Sequence, residues 1–330
     1  MTKLQISVAV GNYDRTRPLI DGEVAIDGAD PIYMMLSPEE TFFRAFRHKA
    51  FDVSELSLSS YVVSVSRGTN AYIAIPAYVS RAFRHSSFYI RTDKGIRAPA
   101  DLKGRRIGLP EWQLTACVWA RAILEDEYGV KASDVTWVRG GVETAGRPEK
   151  IAITPPPGVR IEDAPEGTSL NAMLEAGEID AYIGPRWPSC FENGHPNVAR
   201  LFPDPSAASD YFRRTKVFPI MHVVGVRREL AEQHPWLPGA LMKAFAQAKT
   251  AAQAKLTDTS APKVMLPFVE EQLMAARQLM GRDYWSYGFG ALDRKVLETF
   301  CDHHHRQGLS SRRVTPEELF HPAALEAYSI

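Results

Sequence analysis

Arg105-Arg106-Ile107-Gly108-Leu109-Pro110, then residues 114–128 closed by Gly129, then Val135-Thr136-Trp137-Val138: this run decides how the chain is read. The first piece is a short apolar run stopped by proline, and the last is a short β-rich run. Between them lies a stretch long enough for four turns of helix, with glycine where a helix turns into the left-handed conformation to end. Strand, helix and strand at this spacing predict a βαβ unit and a parallel sheet. The same tempo runs upstream. Strands are predicted at 4–10, 52–56 and 72–76, and helices begin after Pro38-Glu39-Glu40 and at Ser59-Ser60. Downstream, Thr168 caps a predicted helix that runs to Ala176, Gly177 ends it, and Ile179–Gly184 is the next strand. Residues 140–160 are rich in Gly and Pro and read as a loop. From Phe218 a strand at 220–226 gives way to predicted helices at 227–233, 235–257, 264–280 and 291–306.

At 330 residues the chain exceeds the roughly 250–300 over which one core keeps growing, so two lobes are expected. The predicted class is α/β, with the second unit inserted into the first. Lobe 1 takes residues 1–95 plus 218–330, and lobe 2 takes 96–217. The strands of both lobes then aim their carboxyl-end loops into a central cleft. The alternative is one large α/β domain without a hinge.

Composition narrows the function classes. Hydrophobic residues make up 45%, charged residues 24% and aromatics 10%, which excludes disorder, collagen and coiled coil. Lys plus Arg and Asp plus Glu both number 39, so no whole-surface basic field for nucleic acid exists. No apolar run approaches 18 residues, so no membrane span is expected. The apolar run at 4–10 is too short for a signal-peptide core, which gives a cytoplasmic expectation; a mature secreted form stays open. Cys117, Cys190 and Cys301 form neither a disulfide framework nor a thiolate cluster of zinc spacing.

The densest polar segment is Ser80-Arg81-Ala82-Phe83-Arg84-His85-Ser86-Ser87. Arginine presents a planar fork matched to a carboxylate, and two arginines beside one histidine suit a dianionic aromatic acid. The plainer reading is a solvated surface turn. Pro110-Glu111-Trp112-Gln113-Leu114-Thr115 joins a strand to a helix. Thr115 and the helix start can hold an anion, Glu111 can move a proton, and helix capping explains the same groups. Arg186 in Gly184-Pro185-Arg186-Trp187 is a second carboxylate-clamp candidate. His222, inside a strand-like run, is either a proton donor or a core histidine. Tyr13 follows the first strand, and Ser59 supplies a hydroxyl at a helix start. His303-His304-His305 lies in a predicted helix, where adjacent positions diverge, so it is discounted as a metal box. Walker, G-x-G-x-x-G, H-E-x-x-H and G-x-S-x-G patterns are absent.

Phe83-Arg84-His85-Ser86 and Phe218-Pro219-Ile220-Met221-His222 carry a family resemblance. With them go Tyr13-Asp14-Arg15-Thr16, Pro38–Arg44, Asp52–Tyr61, Asp101–Gly104, Pro110-Glu111 and Met173–Ala181. Over nearly its whole length the chain resembles the 4,5-dihydroxyphthalate decarboxylase family, within the type II periplasmic solute-binding-protein superfamily. The Leu102-Lys103-Gly104 and Gly177–Ala181 pieces belong to the broad class, whereas the Arg84-His85 and Met221-His222 pieces are more specific. Gly28-Ala29-Asp30-Pro31 and residues 140–157 depart from the family pattern.

The resemblance implies a two-lobed periplasmic-binding-protein-like fold and conversion of 4,5-dihydroxyphthalate to protocatechuate plus carbon dioxide. On this reading Arg81, Arg84 and Arg186 hold carboxylates, assisted by Ser86, Thr115, Tyr13 and Ser59. His85 or His222 protonates the ring, since histidine keeps both protonation states near neutrality, and Glu111 orients the histidine or accepts the phenol proton. No organic cofactor is required; a divalent metal at Glu111 and histidines stays open, as does a homo-oligomer. A solute-binding protein for a small organic anion in a transport system is the alternative.

Overall fold

A computed structural model of the chain describes residues 2–146, 149 and 151–325. In chain order the first elements are β1 (Leu4–Ala9), α1 (Arg17–Ile20), β2 (Ala29–Met34), α2 (Pro38–His48), β3 (Val53–Ser57), α3 (Leu58–Ser66), β4 (Tyr72–Arg81) and β5 (Phe88–Arg91). There follow β6 (Arg106–Leu109), α4 (Thr115–Tyr128), β7 (Thr136–Arg139), β8 (Arg160–Asp163), α5 (Leu170–Ala176), β9 (Ala181–Ile183), α6 (Ser189–Glu192), β10 (Val198–Arg200) and α7 (Ser206–Thr215). The chain ends with β11 (Ile220–Arg227), α8 (Arg228–Gln233), α9 (Leu237–Lys255), α10 (Val269–Met280), α11 (Ala291–Arg306) and α12 (Pro322–Leu325).

These strands make two mixed sheets. One has the order β2-β1-β3-β11-β4, and the other β10-β5-β9-β6-β7-β8. In the first, β1 is parallel to β2 and β3, while β11 runs antiparallel to β3 and β4. In the second, β6 is parallel to β7 and β9, and β5 runs antiparallel to β9. The chain is therefore two-lobed, with β5 to β10, which lie between β4 and β11 in the chain, forming the second sheet. The lobe boundary expected after residue 95 falls later than the sheet pairing does: β5 joins the second sheet, so the chain crosses within 82–87. The return crossing carries α7 before β11 re-enters the first sheet.

Local chemistry accounts for most element ends. Gly129 and Gly177 close α4 and α5 in the left-handed conformation. Ser169, rather than Thr168, caps α5 by accepting from the Ala172 amide. The helix expected over 264–280 starts at Val269, after Pro267. The loop expected over 140–160 gives way to strand at Arg160; residues 147, 148 and 150 lie outside the described residues.

One apolar core runs through both lobes. It joins Tyr61, Val62 and Val63 of α3 to Trp119 and Ile123 of α4 and to Leu297 and Phe300 of α11. The Trp119 indole donates to the Ile220 carbonyl at 2.9 Å, and its ring meets Phe300 at 5.3 Å. The last long helix thus straps across the junction. Burying three large aromatic and aliphatic faces at such a seam contributes several kcal/mol and resists wide separation of the lobes. No helix among the described residues is long and apolar enough to cross a membrane.

Candidate active site

The carboxyl ends of β3 and β9 open onto one cleft between the lobes, where a cavity of about 130 Å³ is lined by Pro38, Glu39, Phe42, Ser57, Arg84, Leu114, Thr115, Ala116, Pro185, Arg186, Met221 and His222. Its volume is close to what a single benzene ring needs, about 150 Å³. Three helices start at its wall. Ser37, Ser57 and Leu114 are the N-cap residues of α2, α3 and α4. Helix starts present unbonded N–H groups and positive partial charge, so the cavity attracts an anion.

His222 sits on β11 opposite Ser57 of β3, and its pairing with β4 shifts register on either side of it. A bulge of this kind re-aims a side chain. The imidazole Nδ1 meets Glu55 Oε1 at 2.6 Å, and Phe42 packs edge-on to its ring at 4.8 Å. This leaves Nε2 as the nitrogen on the cavity side. Glu55 is 1% exposed, an unusual place for a carboxylate. It is fully bonded: the Gly11 amide donates to Oε2 at 2.9 Å and the Tyr13 hydroxyl donates to Oε1 at 2.9 Å. Burial by itself would raise this carboxyl, but His222, the Gly11 amide and Tyr13 together bring it below its usual range. Gly11 suits its place because a Cβ there would run into the Tyr13 ring that lies across it. Burial and the neighbouring Glu55 charge raise the Tyr13 hydroxyl, so it stays a donor.

Arg84 lines the cavity from the segment after β4. Its Nε contacts Met221 Sδ at 3.2 Å, and no carboxylate pairs with it among the described residues. Burial lowers it to about 10, which leaves it charged near neutrality. A partly buried cation without an anion is costly, a cost that an anionic ligand in the cavity would offset. Thr115 faces the same space. Its hydroxyl accepts from the Ser59 amide at 3.1 Å and shares a 3.0 Å bond with Ser57 Oγ, fixing the start of α4 to that of α3. Arg186 also lines the cavity, where Nη2 meets both Glu39 oxygens, at 2.9 and 2.8 Å.

Other expected site residues are placed elsewhere. Arg81 pairs with Asp293 at 2.5 Å and donates to the Phe218 and Ser286 carbonyls. It is a buried brace, its charge already neutralised. His85 is 3% exposed and boxed by Phe202 and Tyr211, at 5.4 and 5.2 Å. Neither of its ring nitrogens has a partner among the described residues, burial pushes it down to about 4, so it is neutral near pH 7, and it is not among the residues lining the cavity. Glu111, in the segment between β6 and α4, is buried and is not among the residues lining the cavity. Ser86 is exposed on a short turn, and the Ser59 hydroxyl is taken by His304 Nε2 at 2.9 Å. The adjacent histidines of α11 diverge as expected, His303 toward Asp126 and His305 toward the Ser310 carbonyl. No group of three or more His, Cys, Asp or Glu side chains among the described residues could hold a metal ion.

Sequence reasoning missed Glu55 and Glu39. Glu55 had a signal: an acid inside the strand run Val53-Ser54-Glu55-Leu56, all of it buried. Glu39 had none, since an acid in the first turn is ordinary helix chemistry.

The "NMT1/THI5 like" family model matches residues 74–148. A 4,5-dihydroxyphthalate decarboxylase of Comamonas testosteroni is 61% identical over 331 residues, covering 100% of both chains. A 4,5-dihydroxyphthalate decarboxylase of Pseudomonas putida is 62% identical over 214 residues, 64% of this chain and 83% of that protein. The periplasmic aliphatic sulphonate binding protein SsuA of Escherichia coli has the same fold, with a TM-score of 0.56 and 12% identity over 97% of this chain and 98% of that one.

Proposed function

The chain belongs to the 4,5-dihydroxyphthalate decarboxylase family, and on that premise we propose that it releases carbon dioxide from 4,5-dihydroxyphthalate in the cleft described above, leaving protocatechuate. The observation that carries the reading is the pairing of His222 with buried Glu55 beside the unpaired cation Arg84. One side supplies a proton, the other an anion site.

The dianion enters a cavity whose walls are Phe42, Leu114, Pro185 and Met221. One carboxylate lies at Arg84 and the starts of α3 and α4, where charge-assisted bonds fix the ring. The hydroxyl para to the departing carboxylate pushes electron density to the carbon that bears it. His222 Nε2 gives its proton to that carbon, forming a C–H bond and leaving the imidazole neutral. The carbon–carbon bond to the carboxylate then breaks, its electron pair returns to the ring, and carbon dioxide departs. One proton enters for each carbon dioxide released, and solvent recharges His222. The Glu55 carboxylate holds Nδ1 and sets the ring orientation that turns Nε2 to the substrate. A clamp on the retained carboxylate orients the ring, whereas tight binding of the departing one would stabilise the ground state and gain nothing. The protonated ring is its own electron sink.

A solute-binding role would use the same anion site, and the fold alone permits it. A proton donor aimed into the cavity and backed by a buried carboxylate favours the enzyme. The test is to incubate the purified protein with 4,5-dihydroxyphthalate and follow both products. Equimolar protocatechuate and carbon dioxide are expected; tight binding with neither product formed would return the reading to a binding protein. The cytoplasm is part of the proposal. Cys117, Cys190 and Cys301 are free and buried, which suits a reducing compartment, and cell fractionation tests it.

A further inference from the structure

Arg186 and Glu39 face each other across the cavity mouth. Arg186 follows β9 in lobe 2, and Glu39 lies in the first turn of α2 in lobe 1. Both line the cavity, and a single guanidinium nitrogen of Arg186 holds both oxygens of the Glu39 carboxylate. Their side chains are 64% and 37% exposed, so the pair is screened by water and weak enough to exchange. The cavity's other cation, Arg84, has no carboxylate partner among the described residues. The two arginines therefore differ: one awaits an anion, and the other already holds a carboxylate from the protein itself.

We infer that Glu39 is a gate on Arg186, a protein carboxylate standing where the second carboxylate of an aromatic 1,2-diacid binds. An incoming diacid places one carboxylate at Arg84 and displaces Glu39 from Arg186 with the other. A monoacid satisfies Arg84 alone, lacks the group that could displace Glu39, and leaves the mouth pair intact. Glu39 and Arg186 thus set selectivity for diacids over monoacids. This rests on the reading of the cleft as an aromatic-acid site and names what makes it choose a diacid.

The experiment measures binding of phthalate and benzoate, neither of which has the para hydroxyl needed for turnover, by calorimetry on the full chain. Glu39→Gln and Arg186→Gln are compared with the wild type, and melting temperatures check folding. With the competing carboxylate removed, Glu39→Gln is expected to bind phthalate about threefold to fivefold more tightly. Arg186→Gln is expected to bind it about fivefold more weakly, and benzoate should change less than about twofold in both. In turnover, the KM for 4,5-dihydroxyphthalate should follow these shifts, with kcat changing less than about threefold. If Glu39→Gln weakens both acids, the pair is a latch between lobes and the gate is overturned. Equal tightening of both acids would reduce Arg186 to a general attraction for anions and overturn the selectivity. Unchanged phthalate affinity in either variant overturns the gate as well. Failure of the wild type to release carbon dioxide, with these binding shifts intact, would remove the decarboxylase and leave the gate.

Discussion

His222 and His85 belong to neighbouring parts of one sheet and its exit, yet the fold treats them oppositely. His222 lies on β11 with a buried carboxylate on one ring nitrogen and a cavity on the other side. His85 lies just beyond β4 in a box of aromatic rings, with no partner for either nitrogen among the described residues. A histidine serves proton transfer where a partner on one ring nitrogen leaves the other facing the substrate. Burial without a partner drives the His85 imidazole neutral, whereas the Glu55 carboxylate fixes Nδ1 of His222 and turns Nε2 to the cavity. Arg84 and Arg81 repeat the contrast with cations. Arg81 is closed off by Asp293, and Arg84 is left open toward the cavity.

The contrast is most exposed at His222. His222→Gln should lower kcat at least about 10³-fold while phthalate affinity stays within about tenfold, as expected when a general acid is lost. Steady-state kinetics and calorimetry check it; near-normal turnover would take the proton donor away from β11. Glu55→Gln should lower kcat about 10²-fold, since the amide keeps the shape but replaces the charged acceptor that fixes Nδ1–H. Arg84→Gln should raise KM about 30-fold with kcat within about fivefold, the cost of one charge-assisted contact.

His85→Leu should leave kcat within about twofold and show its effect in acid stability instead. The imidazole titrates at about 4 when folded, below its ordinary value near 6.5. The unfolded chain therefore takes up this proton first, and stability drains away as pH falls from about 6.5 toward 4. At pH 5 that loss is roughly 2 kcal/mol, and the variant should be spared it. Denaturant titrations at pH 7 and pH 5 measure the difference. A wild type and variant with equal losses would place His85 in a wetter setting than Phe202 and Tyr211 provide.

The α/β class, the two-lobed layout and the order of most long elements were readable because they depend on local signals. Apolar runs of strand length, a stretch of helix length between them, Gly129 and Gly177 as helix stops, and Pro110 after a strand all act within a few residues, whereas the strand expected at 72–76 runs on through Pro76 to Arg81 because β11 pairs along it. Short or polar strands escaped for the same reason. Arg160–Asp163 and Val198–Arg200 carry little pattern of their own and are strands because a neighbour pairs with them. Arg84, Thr115, Arg186 and His222 were picked from residue type beside a strand end, and all four line the cavity.

What local pattern could not assign is which polar group meets which. Arg81 and Arg84 look alike in one short segment, but Asp293, 212 positions away, closes off only the first. His85 and His222 look alike as imidazoles, but Glu55, 167 positions from His222, partners only the second. Strand and helix follow from the conformational preferences of neighbouring residues, so the chain alone settles them. Charge pairing and loss of water depend on contacts between distant segments, and those exist only once the two sheets, α4 and α11 have packed together.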